Sequence, residues 1–187
     1  MANCNDLLNI NDDCDNIYGS FVKIAFAPKD FMTDFNVDNG VIDLLDLEDI
    51  NVSPFEPYSP VEFYVKQNKI SYEIGSEIAF DNNTTVFNNT FTVHLVGQTV
   101  EQRNAIMSLT QGQREVLVFA LSDTGLWYVI GATDGVDGRI GARVSEVSGE
   151  VGLMRSDVNE FVLNIGTQED KELHYYLDPI LADNIFS

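Results

Sequence analysis

The side chains best suited to proton transfer or metal binding are scarce. The only imidazoles are His94 and His174. His94 lies between Val93 and Leu95 in a segment of alternating polarity, which predicts a structural or surface role on a strand. His174 follows Glu172 in a charged stretch and reads as an unremarkable turn residue. No Gly-x-Ser-x-Gly elbow, phosphate-binding loop or His-Glu-x-x-His string is present. Thirty acids guarantee chance pairs of carboxylates, so spacing alone nominates no pair for hydrolysis.

Metal and cofactor chemistry fares no better. Asn11, Asp13 and Asp15 match the opening of an EF-hand loop, but Asn16 occupies the turn-glycine position and Val22 the place of the bidentate Glu. Asp134-Gly135-Val136-Asp137-Gly138 could also cradle a hard cation, although a solvated turn explains both segments more simply. Cys4 and Cys14 are separated by nine intervening residues. They could close a small loop, yet two thiols without a nearby His cannot complete a tetrahedral zinc site. The Gly131–Gly135 loop leads into another β segment, not the helix a dinucleotide site requires. Asn51, Asn82, Asn83 and Asn88 open Asn-x-Ser/Thr strings in an Asn-rich chain and read as accidents of composition. No catalytic, cofactor-binding or metal-ligating residue is nominated, and no cofactor is expected.

Ten Lys and Arg face thirty Asp and Glu, a formal charge of −20. Nucleic-acid affinity comes largely from neutralising phosphates with cations, so specific DNA or RNA binding is not expected. The charge serves solubility or forms a purposeful anionic surface. It is uneven: net −10 over residues 1–60, −2 over 61–100 and −8 over 101–187. The nearly neutral middle suits an interior or an interface. No apolar run approaches the roughly 20 residues that span a bilayer, and the first residues lack a basic, apolar leader. Synthesis in a cytoplasm with reduced thiols is the expectation.

The elements that would position these residues are mainly strands. A polar lead-in over 1–18 precedes the strand candidate Gly19–Ala27, which ends at Pro28. Asn39-Gly40 is a favoured hairpin turn pair ahead of residues 41–47. Pro54, Pro57 and Pro60 make 51–60 a loop or an edge crossing. Period-2 alternation marks strands near Phe63–Val65, Ile70–Ile74 and Phe91–Val96, with a turn at Asp81–Thr84. Thr99 and Gln102 form a capping box for a short helix whose apolar side is Val100, Ile106, Met107 and Leu109. Glu115–Leu121 and Leu126–Ile130, joined by Ser122-Asp123-Thr124-Gly125, predict a hairpin buried on both faces. Arg143–Val147 and Glu160–Ile165 complete the strands, and Tyr175 onward forms an extension or a short helix. The fold expected is one mainly β domain over 1–187: an antiparallel β-sandwich or rolled barrel with one flanking helix, an arm at 1–18 and a C-terminal extension at about 172–187.

In order, the Cys4–Cys14 lead-in, the Gly19–Ala27 strand, the Leu117–Gly131 hairpin with Trp127-Tyr128, and Gly138-Arg139-Ile140-Gly141-Ala142-Arg143 resemble tail and ring structural proteins of short-tailed, crAss-like phages of gut Bacteroidetes, and related tail-tube proteins. The resemblance covers most of the chain as an order of features. It implies a tail-tube architecture, with subunits pairing their sheets around an axis and docking on rings above and below. An acidic lumen would let DNA pass without sticking. The expected role is therefore a virion tail or neck ring subunit, partnered by copies of itself, with no catalytic activity and no membrane. The alternative is a β-sandwich module that binds carbohydrate or protein on a Trp127-Tyr128 surface.

Overall fold

The computed structural model describes residues 20–49, 51, 54, 56–65, 69–79, 84–96, 104, 106–108, 110, 115–132, 141–150, 160–170 and 174–186. It is mainly β, with two packed sheets that form a sandwich and do not close into a barrel. The strands are β1 (Phe21–Pro28), β2 (Met32–Asp38), β3 (Val41–Asp49), β4 (Glu56–Pro57), β5 (Val61–Tyr64), β6 (Ile70–Ala79), β7 (Thr84–Val96), β8 (Val116–Ser122), β9 (Trp127–Ile130), β10 (Arg143–Glu150), β11 (Glu160–Asp170) and β12 (Tyr175–Leu177). A closing helix follows at Pro179–Ile185. The large sheet runs β2-β3-β12-β9-β8-β1-β5, with β4 also paired to β3, and the small sheet runs β10-β11-β7-β6.

The hairpin signals act as the backbone chemistry requires. Asn39 and Gly40 adopt φ of 51° and 80°, the pair of positive values that a two-residue turn matched to strand twist demands. At the β8–β9 turn the Ser122 hydroxyl accepts from the Leu126 amide at 3.1 Å, and Gly125 at φ 86° turns the chain. These two strands are buried on both faces, as their apolar runs predict. Val116, Val118, Ala120 and Ile130 face the small sheet, packing with Phe91, Leu163 and Ile165. Leu117, Phe119, Trp127 and Val129 face a second core on the other side.

One irregularity in β1 sets the phase of the main core. The β1–β8 register slips between Phe21 and Lys23, so a bulge at Val22 places Phe21 and Ile24, an odd number of residues apart, in the same core. Lys23 turns the other way, pairing with Glu62 at 2.9 Å and lying 5.8 Å from the Trp127 ring centre.

Residues 174–186 are integral to the architecture and are not an appendage. β12 lies inside the large sheet, parallel to β3 and antiparallel to β9. The Tyr176 amide donates to Gly40 O and the Asp178 amide to Ile42 O. Asp178 then caps the closing helix by accepting from the Ile180 and Leu181 amides, with Pro179 at a position that needs no donor. The helix closes the second core through Ala182, Leu181, Ile185 and Phe186. Phe186 stacks on Trp127 at 4.1 Å with planes 5° apart and meets Phe119 edge-on.

Several boundaries differ from the sequence reading. β2 precedes the Asn39-Gly40 turn without having been anticipated, and β3, β6, β7 and β11 are longer than their periodic cores. Residues 104, 106–108 and 110 are helical; Ile106 is buried in the main core and Met107 is exposed. The capping pair Thr99 and Gln102, with Val100 and Leu109, lies outside the described residues, as do the 1–18 lead-in, both cysteines, Asn82 and Asn83, and both candidate cation loops.

Candidate functional site

Among the described strands β2 and β5 end the large sheet, with the two-residue β4 paired to β3 alone, and β10 and β6 end the small one. Unpaired edge amides and carbonyls template pairing with another chain unless a protein blunts them. β2 is blunted by two register slips and by Asp34 and Asp38. β5 has only four residues, follows Pro60, and carries Glu62 held by Lys23. β10 has a bulge between Val144 and Glu146. β6 has no register slip: its ten residues pair with β7 continuously, and its charged side chain among those described is the exposed Glu73. From Glu73 to Ser76 every residue of β6 is exposed, so neither face is covered there. Ile74 is 47% exposed on that edge.

The outward face of the small sheet is polar. Thr92 Oγ1 donates to Asn164 Oδ1 at 2.8 Å, and Asn164 Nδ2 donates to Glu146 Oε2 at 3.1 Å. His94 lies opposite Val162 on this same face, half-buried. Near the start of β10, Glu115 accepts from the Gly141 amide and from Arg143, with Lys29 at 3.6 Å. Burial alone would raise its pKa, but these donors and cations hold it below the ordinary value.

His174 is not the charged-turn residue its sequence neighbours suggest. It is half-buried where the two sheets meet, with ring centres of Tyr128, Tyr176 and Tyr72 at 4.6, 5.0 and 5.4 Å. Its Nδ1 is 3.1 Å from Tyr72 Oη, while Tyr72 donates to Asn89 Oδ1 at 2.9 Å. The amide oxygen can only accept, so Nδ1 carries the proton in that contact. The fully buried Asn89 in turn donates to Thr167 Oγ1 at 3.3 Å. This chain links β11, β7 and β6 to the residue preceding β12. Burial lowers the His174 pKa, and burial, followed by the Tyr176 hydroxyl, raises that of Tyr128. Sequence reasoning missed the cluster because its members are far apart along the chain; the only local trace is the aromatic density of Tyr175-Tyr176.

Trp127 is buried, as expected of the hairpin, so it offers no exposed binding platform. Asn51 sits at an exposed turn with its amide donating to Asp49, and Asn88 is half-buried on β7. Among the described residues no group of three or more His, Cys, Asp or Glu side chains could hold a metal ion, and no helix is long and apolar enough to cross a membrane. Comparison with family models, curated proteins and solved structures finds no match to this chain. The class defined by the fold is thus a mainly β, two-sheet sandwich.

Proposed function

We propose that this protein is a structural subunit that assembles with copies of itself into a closed ring, as a component of a phage tail or neck through which DNA leaves the virion. The observation that carries this reading is the β6 edge, ten residues in unbroken register with Glu73–Ser76 exposed. The four strands of the small sheet alternate in direction, so β6 of one copy would meet β10 of the next antiparallel. Rotation about one axis would continue the sheet from copy to copy and abolish both edges. The polar outward face, with its Thr92–Asn164 pairs, suits a wetted wall. An acidic protein gives passing phosphates few cations to bind. Glu73 on β6 and Glu146 on β10 would approach across the joint, so closure strengthens as salt screens them. The role is assembly, not catalysis, and it belongs to the virion, after synthesis in the host cytoplasm.

Light scattering and negative-stain imaging of the purified chain at rising concentration and salt test this. Rings are expected from the native sequence. Ile74→Lys should leave a monomer with an unchanged far-ultraviolet spectrum. A native chain that stays monomeric throughout refutes the proposal.

A further inference from the structure

Only part of the large sheet is covered by the small one. The face of β2, β3 and β12 directed away from the second core is open, and its composition is not that of a merely solvated surface. Tyr176 is 36% exposed there, beside Val41, its partner on β3. Further along β3, Leu44 is 37% exposed. Around these apolar groups stand Asp34, Asp38, Asp43 and Asp46, all exposed. Residues 30–57 hold eight acids and no Lys or Arg.

Two features set this face apart from ordinary blunting of an edge. Asp34 lies directly opposite Asp46 in the β2–β3 register, an arrangement of like charges that destabilises a sheet. Asp43 and Asp46 belong to β3, an interior strand with neighbours on both sides, where charge protects no edge. No described base pairs with any of the four. Their hydrogen bonds are to neutral groups: Asp34 accepts from the Phe35 amide, Asp38 from Asn39 and Asp43 from Asn36. Among the described residues no cation offsets the repulsion between these carboxylates, which stand alongside the part-exposed Tyr176 and Leu44.

We infer that this open face of β2, β3 and β12 docks a basic segment of a partner protein. An Arg or Lys side chain over Tyr176 gains from the ring's negative face. Neighbouring cations relieve the Asp34–Asp46 repulsion, and the apolar part of the segment covers Leu44. Local charge decides the occupant: four exposed carboxylates with no described base among them call for a segment dense in Lys and Arg, and this chain has only ten such residues against thirty acids. The four carboxylates lie on β2 and β3, which pair with neither β6 nor β10, while Tyr176 approaches β6 through the His174 ring, 5.0 Å from Tyr176 and 5.4 Å from Tyr72.

The test uses a fluorescein-labelled ten-residue peptide of alternating Arg and Ser, followed by anisotropy at physiological salt. Because any acidic protein attracts cations, the decisive comparison is between variants of matched charge. Asp34→Asn with Asp46→Asn should weaken binding about tenfold, as should Tyr176→Ala, whereas Glu73→Gln with Glu146→Gln on the small sheet should change it less than about twofold. The substitutions on this face are at exposed positions, and unchanged circular dichroism verifies the fold of each. Equal weakening by both double variants, or no effect of Tyr176→Ala, means general attraction to net charge and overturns the proposal. So does failure of the native protein to bind.

Discussion

Replacing Phe186 with alanine probes how the closing helix is held. The ring stacks on Trp127 at 4.1 Å and meets Phe119 at 5.5 Å. A fully buried Phe→Ala change costs about 3–5 kcal/mol. Phe186 is only half-buried, which halves the transfer part to about 2 kcal/mol on the same scale. Losing the two aromatic contacts adds about 1 kcal/mol, so the expected loss is about 3 kcal/mol. For a domain of this size that lowers Tm by roughly 6–12 °C. Trp127 is the single tryptophan, so its fluorescence reports the site directly. Urea unfolding should show a lower midpoint with an unchanged slope, and the native emission should shift to the red and become more accessible to acrylamide. A midpoint within about 0.5 kcal/mol of the native protein, with unaltered quenching, would refute the view that this stack anchors the helix.

Two further outcomes follow from the same packing. Gly166→Ala would bring a Cβ to 2.3 Å from Asn89 O and 2.9 Å from Thr90 Oγ1; because the first obstacle is backbone, the β7–β11 register must shift, and chemical denaturation should show a loss of about 3 kcal/mol or failure to fold. His174 has a pKa below its unfolded value because burial disfavours the cation, so its contribution is fully present above about pH 6.5 and declines as the pH falls from there toward the folded pKa. Urea midpoints compared between the native protein and His174→Gln should diverge over that window by at most about 1.4 kcal/mol per pH unit, and parallel curves would count against the assignment.

Local chemistry was legible where a few neighbouring residues decide it. The Asn39-Gly40 turn, the doubly buried β8–β9 hairpin and the burial of Trp127 all follow from the residues themselves, and the sandwich class follows from their strand pattern. β2 was not legible because the extra residue Thr33 puts Met32 and Phe35 in one core at a spacing that breaks the alternation a strand is recognised by. β12 is only three residues long and owes its place to β3 and β9, which no local pattern encodes. The candidate edge escaped for a related reason. That β6 lies at an edge is a property of the whole sheet order, and that it is uncovered depends on where the other sheet ends. His174 was misjudged because its sequence neighbours are charged while its spatial neighbours are tyrosines from distant strands.

The position of β12 also sets a timetable. β3 is made early, yet its parallel partner emerges from the ribosome only after β4 to β11, roughly 6–26 seconds later at ordinary elongation rates. Until then β3 and β9 lack the strand between them, the second core lacks its helix, and Tyr72 lacks His174. Every newly made chain therefore passes through an interval in which the large sheet is divided in two and the polar junction to the small sheet is incomplete. The large sheet, the second core and the polar junction are completed together only once residues 174–186 are in place, which couples the last steps of folding to the progress of the chain's own synthesis.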